Sequence, residues 1–397
     1  MNILILTGRF GMGHVKAAEA IREDILKADN QTHVNIVDFT EYLFPRAAEY
    51  IYSGFNFLTS HCSQVYNYFN QAANRYGRAP FQDALLGRID QLLSFHRPDL
   101  IIATLPFCGQ YISAYKERRG CNTPLYTYIT DVTLHEEWIA PHTDLYFVAA
   151  RKTRQALLSR GVPPGKIIVS GVPVRQAFYP TSDRLSAKKL AVKNRQIPSY
   201  PPENAAAGPN SAPPHRTHVL IMGGGLGIIS CGSSLMQTLH HLPHTTVTVI
   251  TGKNVKLARQ LRQDYPNFRI LGYTEEVHRY MKEADLLITK PGGITMFEAI
   301  ASRTPLFILP PGLAQEKENA AFIETSGIGY VLHESARRSA GKTARRSASS
   351  MQEDAPAAEI LREILESPHT LQTMRRNMLN LDESFQETCP LNYFVLQ

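Results

Sequence analysis

Residues 286–299 read LLITKPGGITMFEA, and this stretch decides the fold that the sequence predicts. A short apolar run ends at Thr289, a Lys-Pro pair and two glycines follow, and a helical pattern begins at once. A strand that passes through a glycine turn into a helix is typical of a βαβ unit. Glycines let the backbone approach a diphosphate, and free N–H groups at a helix start attract anions. The stretch therefore indicates a phosphate-binding turn, with Glu298 on the helix behind it.

Short apolar runs alternate with helical segments on both sides of that turn. The runs begin at residues 3, 34, 100, 125, 145 and 167, and after a break at residues 218, 246, 269, 286 and 306. Strands separated by helices predict parallel sheets, and 397 residues exceed one ordinary core. We therefore predict an α/β protein with two Rossmann-like, doubly wound domains facing a central cleft.

Two segments interrupt the alternation. Residues 182–216 are rich in Pro, Ala, Asn and Ser without periodicity, which is typical of a linker or surface insertion. Residues 334–350 carry five basic residues against one acidic residue and predict a second loop. The GKT at 341–343 resembles the end of a P-loop, but no strand precedes it and Ala336 stands where the motif needs its first glycine. We reject a nucleotide site there.

The composition is that of a globular chain, with 43% hydrophobic and 19% charged residues. No apolar run approaches the ~18 residues that span a bilayer, and the opening MNILILTG predicts a strand rather than a signal peptide. The five cysteines are scattered without a CxxC pair, as in reduced cytosolic proteins. A net charge of +7 favours an anionic partner (nucleic acid, anionic lipid or a phosphorylated small molecule) or indicates a basic surface without one.

Two further glycine-rich junctions follow predicted strands, at residues 7–13 (TGRFGMG) and 222–227 (MGGGLG). In a doubly wound sheet such turns lie at the carboxyl ends of strands, where ligands bind. The second of these and the turn at 291–293 fall in the C-terminal half and indicate a nucleotide diphosphate there. A dinucleotide site in the N-terminal half is disfavoured, because the first junction reads GxxGxG instead of GxGxxG and Asp38 comes later than a ribose-binding acid should.

Candidate acid–base residues lie at two strand ends of the N-terminal half. His14 follows Gly13 at a predicted helix start. There a neutral imidazole can act as general base on an acceptor hydroxyl, or it can simply pack at the helix end. Asp131, His135 and Trp138 follow another predicted strand. Metal binding by His135 is disfavoured, because HEEW lacks the HExxH spacing.

Longer motifs carry a resemblance to a known family. The N-terminal half contains GMGHVKAA at 11–18, ITDVTLHEEWIAPHTDLYFVA at 129–149 and SGVPVRQAF at 170–178. The C-terminal half contains TGKN at 251–254, LGY at 271–273 and ITKPGGITMFEAIASRTPLFILPPGLAQEKENA at 288–320. Together they resemble the GT-B glycosyltransferases that include monogalactosyldiacylglycerol synthases, bacterial processive diacylglycerol glucosyltransferases and, more distantly, MurG. The likeness spans most of the chain.

This resemblance implies a GT-B fold and an enzyme that moves a hexose, with glucose favoured, from a UDP-sugar to diacylglycerol. The anomeric carbon is inverted, and one or several sugars are added. The implied parts are an acceptor domain at 1–181, the linker at 182–216, a UDP-sugar domain at 217–370 and a final segment at 371–397 that crosses back to the first domain. Two alternatives stay open: MurG-like N-acetylglucosaminyl transfer to a polyprenyl-linked acceptor, and a non-catalytic UDP-sugar-binding regulator.

The resemblance also implies roles for single residues. His14 is the first candidate for the catalytic base, and Asp131 is the second. Glu298 would accept hydrogen bonds from the ribose hydroxyls. The other implied donor contacts are Gly292, Gly293 and Thr295 at the phosphates, Gly224 and Gly225 beside the diphosphate, Gly272 and Tyr273 at the uracil, and Gln315, Glu316 and Asn319 at the sugar or diphosphate. The residues between the first glycines, Arg9-Phe10 and Met12, depart from the commoner family pattern.

No DxD motif of the kind that holds a divalent metal on a nucleotide sugar occurs in the sequence. An inverting transfer needs one base and stabilisation of the departing UDP. We therefore predict a metal-independent reaction without a cofactor, in which helix N-termini and Lys290 meet the charge of the leaving group.

Residues 39–82 predict contact with a membrane, because they hold twelve of the chain's 35 Phe and Tyr residues. Aromatic rings with nearby arginines suit an anionic lipid interface; an ordinary helix pair packed on the sheet is the alternative. The candidate acceptor and membrane contacts are Gly11, Gly13, Tyr52, Phe55, Phe57, Arg75 and Trp138. Nucleic acid is disfavoured as a partner, since no recognised binding module occurs. We expect a cytoplasmic protein that lies peripherally on the inner face of the cell membrane.

Overall fold

The computed structural model describes residues 1–61, 82–180, 216–224, 227, 233–333 and 355–394. These residues form two six-stranded sheets, one in each half of the chain. Every strand pairs with its neighbours in parallel. The predicted α/β class with two doubly wound parallel sheets is confirmed. The proposed linker lies outside the described residues except for Arg216, so the domain boundaries stay predictions.

The first sheet has the strand order β2-β1-β3-β4-β5-β6. Its strands are β1 Asn2–Thr7, β2 His33–Asp38, β3 Leu100–Ala103, β4 Leu125–Ile129, β5 Leu145–Val148 and β6 Ile167–Val169. The helices of this half are α1 Gly13–Ala28, α2 Phe39–Leu43, α3 Ala48–His61, α4 Gln82–His96, α5 Pro106–Arg119 and α6 Arg151–Leu158. The direction of winding reverses between β1 and β3, which places the ligand-binding crevice of a doubly wound sheet at their carboxyl ends.

The second sheet has the order β12-β11-β10-β7-β8-β9, which reverses between β7 and β10. Its strands are β7 Thr217–Met222, β8 Thr245–Ile250, β9 Arg269–Leu271, β10 Leu286–Thr289, β11 Leu306–Ile308 and β12 Gly329–Val331. The helices are α7 Ser233–His241, α8 Val255–Asp264, α9 Val277–Glu283, α10 Gly293–Ser302, α11 Ala314–Thr325, α12 Ala355–Glu366 and α13 Pro368–Glu383. All predicted strands are present. The structure adds β12, which the sequence did not predict because its three residues form no apolar run.

The two halves share a hydrophobic core across the cleft. One cluster of buried side chains contains Ala17 and Val132 from the first half together with Met296 and Phe297 from α10 of the second. Helices α1 and α10 are in direct contact. Because both helices begin at the glycine turns of their own sheets, this packing brings the two turns to face each other.

The end of the chain returns to the first sheet after α13. The backbone N–H of Gln386 donates to the carbonyl oxygen of Val169, at the end of β6, at 2.8 Å. The backbone N–H of Val169 donates to Oε1 of Gln386 at 2.9 Å. Farther on, the hydroxyl of Tyr128 donates to the carbonyl oxygen of Thr388 at 2.7 Å. The return begins at about Ser384, after a helix that packs on α10. No helix among the described residues is long and apolar enough to cross a bilayer.

Candidate active site at the facing glycine turns

His14 lies where the winding of the first sheet reverses. It is the second residue of α1, after a turn in which Gly11 has a φ of +73° that favours glycine. Its Nδ1 lies 2.8 Å from the carbonyl oxygen of Thr104 and 3.0 Å from Oγ1 of Thr130. A carbonyl oxygen only accepts, so in the neutral ring Nδ1 carries the proton. The lone pair of Nε2 is then available as a base.

The surroundings keep this imidazole neutral near pH 7. Burial lowers the pKa of His14 below its usual 6.5, while the negative charge of Asp131 and the Thr104 carbonyl partly oppose that shift. Trp138, which is 1% exposed, has its ring centre 6.3 Å from that of His14. A neutral ring with a nearby carboxylate can accept a proton and then be stabilised as a cation. The geometry thus favours His14 over Asp131 as the candidate base, and that role stays a prediction.

Gly293 brings the second half against this centre. It is the first residue of α10, and a Cβ atom at this position would lie 2.9 Å from the carbonyl oxygen of Thr130 and 3.6 Å from Oδ1 of Asp131. Only a glycine fits so close an approach. The free N–H groups at the start of α10 therefore lie beside the His14 centre, in the crevice where the second sheet reverses. The glycine turn before His14 and the glycine turn before α10 therefore lie against each other.

Glu298 lies in α10 behind that turn and is 9% exposed. Burial raises the pKa of its carboxyl to about 7, against the opposing charges of Arg175 and Lys16. Within the described part of the chain, its side-chain oxygens have no hydrogen-bond partner. Its oxygens are not among the fully enclosed unpartnered atoms of the described structure, and the vicinal hydroxyls of a ribose would supply two donors. The placement agrees with the implied ribose contact, which stays a prediction.

Two of the implied sugar contacts on α11 have partners within the protein. Oε2 of Glu316 accepts from the backbone N–H groups of Gly312 at 2.7 Å and Leu313 at 3.1 Å, which caps the helix. Asn319 is 2% exposed, and its Nδ2 donates to the carbonyl oxygen of Pro291 at 2.9 Å. Asn319 therefore holds the glycine turn in place, and its contact with the sugar or diphosphate stays a prediction. For Glu316, only Oε1 is left to meet a donor.

The remaining donor candidates are spread around the same edge. Thr295 lies in the first turn of α10, with its hydroxyl near Gly292. Gly224 follows β7 in a turn with a φ of +71°. Tyr273 is 53% exposed just after β9, beside Gly272. Gln315 is half-buried near the start of α11, and Gly225 lies outside the described residues.

The aromatic membrane candidates need correction. Tyr52 is 4% exposed, with its hydroxyl donating to Oδ1 of Asp38 at 2.6 Å, and Trp138 is also buried. Neither ring can lie among lipid headgroups, because both are packed inside the first half. Phe55 is half-buried against Phe10, with ring centres 5.2 Å apart. The side chains of Phe57 and Arg75 lie outside the described residues.

The apolar side chains that the glycine turn and α3 expose to solvent are not the predicted ones. Met12 in the glycine turn is 47% exposed, and on α3 Tyr50 is 82% and Ile51 is 37% exposed. Arg46 is exposed just before that helix. Sequence reasoning chose the segment but placed the wrong residues of α3 on its outer face, since aromatic content alone does not tell which side of a helix packs inward.

Thr104 and Thr130 were also missed as functional positions. Each directly follows a strand, β3 or β4, and these strands are neighbours in the sheet. The sequence signal was present, because the carboxyl ends of adjacent parallel strands meet at one edge. Unpartnered polar atoms are found in the next loop: Oγ1 of Thr133, Nε2 of His135 and Nε1 of Trp138 are buried without a hydrogen bond in the described structure. Such atoms suit a polar ligand or bound water.

Comparison with known proteins places these observations in a family. Residues 14–174 match the family described as monogalactosyldiacylglycerol (MGDG) synthase, and residues 218–379 match the glycosyltransferase family 28 C-terminal domain. A processive diacylglycerol beta-glucosyltransferase of Bacillus licheniformis is 32% identical over 344 residues, covering 84% of this chain and 83% of that protein. Its counterpart from Staphylococcus carnosus is 30% identical over 347 residues, covering 83% and 81%.

Solved structures show the same fold at low identity. MurG of Acinetobacter baumannii matches with a TM-score of 0.57 and 14% identity over 99% of this chain and 98% of that one. The spinosyn rhamnosyltransferase SpnG, in complex with thymidine diphosphate, matches with a TM-score of 0.54 and 13% identity over 99% of both chains. Both halves of the chain therefore adopt the GT-B arrangement that the sequence motifs implied.

Proposed function

The chain belongs to the family of monogalactosyldiacylglycerol synthases and processive diacylglycerol beta-glucosyltransferases, and on that premise we propose that it transfers glucose from UDP-glucose to diacylglycerol. The chain is a glycosyltransferase with the GT-B fold, and its relatives are named for this acceptor and sugar. The observation that carries the proposal is the contact between the His14 centre and the start of α10, because it unites a base with a diphosphate turn.

The chemistry follows from that contact. Nε2 of His14 takes the proton from the acceptor hydroxyl, whose oxygen forms a bond to the anomeric carbon from the face opposite the UDP. The bond between that carbon and the diphosphate oxygen breaks, and UDP leaves with the electron pair. Inversion follows from this in-line displacement. Asp131 stabilises the imidazolium that forms, while the N–H groups of α10 and the ammonium of Lys290 stabilise the developing charge on the diphosphate.

The proposed reaction requires no metal ion. The residues that meet the diphosphate are the start of α10 and cations around it, so the charge has partners without a bound ion. Lys16 and Arg175 add positive charge close enough to Glu298 to lower the pKa of its carboxyl against the larger effect of burial. Addition of EDTA should therefore leave turnover unchanged, and restoration of a lost activity by Mg²⁺ or Mn²⁺ would contradict this part.

The acceptor reaches the site from a membrane surface in our proposal. Met12 in the glycine turn and Tyr50 and Ile51 on α3 expose apolar side chains, and Arg46 adds a cation for anionic headgroups. The unpartnered polar atoms of Thr133 and His135 can meet acceptor hydroxyls. A peripheral position on the inner face of the cell membrane is part of this proposal.

The test is transfer to liposomes. Full-length protein is incubated with vesicles containing diacylglycerol and with labelled UDP-glucose, UDP-galactose or UDP-N-acetylglucosamine, and the lipid products are separated and identified. We expect glucosyl-diacylglycerol from UDP-glucose. Product only from UDP-N-acetylglucosamine with a polyprenyl diphosphate-linked acceptor would favour the MurG-like alternative, and UDP binding without any product would favour a non-catalytic regulator.

A further inference from the structure

Arg9 ties the glycine turn before His14 to three neighbouring segments. Its Nε donates to Oδ2 of Asp38 at 3.0 Å, at the end of β2. Its Nη2 donates to Oε2 of Glu41 at 3.1 Å in α2 and to Oε1 of Glu49 at 2.9 Å in the first turn of α3. One guanidinium thus bridges three carboxylates that would otherwise repel one another more strongly.

Ring contacts make the same link. The guanidinium carbon of Arg9 lies 4.8 Å from the centre of the Tyr52 ring on α3. The ring of Phe10 meets that of Tyr52 edge-on at 5.0 Å and that of Phe55 at 5.2 Å. Because the hydroxyl of Tyr52 also donates to Asp38, the turn and the helix cannot separate without loss of both ionic and aromatic contacts.

The two ends of this connection have different surroundings. At one end, the turn leads through Gly11 and Gly13 into His14, and glycines give that path little stiffness of its own. At the other end, α3 exposes the side chains of Tyr50 and Ile51 to solvent. Arg9 is therefore the residue that joins the outer apolar face of the helix to the loop that carries the base.

We propose that Arg9 is a positioning residue that couples α3 to His14, so that contact of α3 with a lipid surface aligns the base. This rests on the proposed function and deepens it by naming how the site responds to its acceptor surface. Arg9 acts through the loop and touches no reacting atom. Contact of Tyr50 and Ile51 with lipid restricts α3, and the ionic contacts of Arg9 pass that restriction to the residues before His14.

Hydrogen exchange tests the connection without reference to turnover. In the wild type, vesicles of phosphatidylglycerol and phosphatidylcholine should slow exchange in peptides covering residues 8–20 and 48–55. In Arg9→Gln, protection of the first peptide should fall and no longer respond to vesicles. Glu49→Gln, at a side chain that is 75% exposed and so leaves the core intact, should weaken the same response. Arg279→Gln removes an exposed ion pair with Glu276 in the other half and is the matched control.

Kinetics test the positioning role. With liposomal acceptor, Arg9→Gln should lower kcat about 10- to 100-fold, the scale of a misplaced catalytic group, with the KM for the UDP-sugar and the Kd for UDP unchanged. Arg9→Lys, which keeps the positive charge but loses the several N–H donors of the guanidinium, should recover part of kcat. Unchanged kcat, unchanged exchange at residues 8–20, or loss of UDP binding would each overturn the proposal. If the wild type forms no lipid product, the proposed function fails, while the exchange experiment still decides the connection.

Discussion

His14 and Thr104 meet at the point where the first sheet reverses its winding, with Nδ1 of the imidazole 2.8 Å from the backbone carbonyl oxygen. The partner is a main-chain atom of a buried strand end, so no side-chain substitution removes it. It fixes which nitrogen holds the proton and thereby points the basic nitrogen away from the sheet. The tautomer of the base is thus a consequence of strand order.

The pH profile should report the two opposing influences on His14. Because burial lowers its pKa below 6.5, the acid limb of kcat/KM, which reports the free enzyme, should have its midpoint below pH 6.5. Asp131 raises that pKa, so Asp131→Asn should move the limb to still lower pH and reduce the plateau, since the imidazolium loses its counter-charge. Steady-state kcat/KM from pH 4.5 to 8 measures this. A limb that moves upward in Asp131→Asn would contradict the assigned role.

Glu298 should make donor binding depend on pH near neutrality. Its carboxyl has a pKa of about 7 when the pocket lacks donor, and ribose hydroxyls favour the ionised form. UDP affinity should therefore rise as the pH increases from 6 to 8, with release of a proton that calorimetry in buffers of different ionisation enthalpy detects. In Glu298→Gln the affinity should fall at least tenfold and lose its pH dependence. Equal affinity in the variant and the wild type at pH 8 would remove Glu298 as the ribose contact.

The same group predicts a pH effect on stability. Its folded pKa of about 7 lies above the ordinary 4.5, so the folded state binds more protons between these values. The free energy of unfolding of the ligand-free protein should therefore decrease as the pH rises through this window, by on the order of 3 kcal/mol for this group. Urea titrations of the wild type and Glu298→Gln at pH 5 and 8 isolate the contribution of Glu298 to the free energy of unfolding. A variant with the same pH dependence as the wild type would contradict it.

Closure of the two halves should depend on the absence of a side chain at Gly293. A Cβ atom there would lie 2.9 Å from the carbonyl oxygen of Thr130, whereas at Gly292 the nearest atom is Oγ1 of Thr295 at 3.9 Å. Gly293→Ala should therefore lower kcat/KM about 100-fold or more, and Gly292→Ala, in the same turn, should be affected much less. Comparable losses in both variants would show that phosphate access, and not the Thr130 contact, is the cause.

The outer face of α3 should determine binding to membranes. Replacement of Tyr50 and Ile51 by Ser removes exposed apolar side chains beside the glycine turn and should weaken vesicle binding severalfold. Phe95 is 84% exposed but lies at the end of α4, before the amino end of β3, on the edge of the sheet away from His14. Phe95→Ser is thus the control. Sedimentation with anionic vesicles measures both, and equal loss in the control would deny α3 a specific role.

Much of the fold could be predicted because strand and helix alternation fixes a doubly wound sheet, and glycine turns mark its carboxyl edge. The opening stretch at 286–299 gave both the β10–α10 junction and the buried carboxylate of Glu298. The order of the strands in the sheet decides which strand ends are adjacent, and this order cannot be read directly from the order of the strands along the chain. The meeting of His14 with Thr104, and of Gly293 with Thr130, therefore required the structure.

Side-chain direction was the part that the sequence could not supply. Tyr50 and Tyr52 are of one residue type and two positions apart, yet one is 82% exposed and the other 4%. The difference arises from Arg9 and Asp38, which hold Tyr52 inward from separate parts of the chain. The hydrogen bond from Asn319 to the carbonyl oxygen of Pro291 was likewise not foreseen. Both features depend on polar contacts between residues that are distant in sequence.

The most direct test of the account is a single-turnover measurement on His14→Gln with liposomal diacylglycerol and labelled UDP-glucose. The glutamine amide takes the approximate place of Nε2 and has no basic nitrogen. We predict that UDP-glucose binds with unchanged affinity while glucosyl-diacylglycerol forms at least 100-fold more slowly than in the wild type. Transfer at the wild-type rate would contradict the central claim that His14, held by Thr104 opposite the start of α10, is the catalytic base.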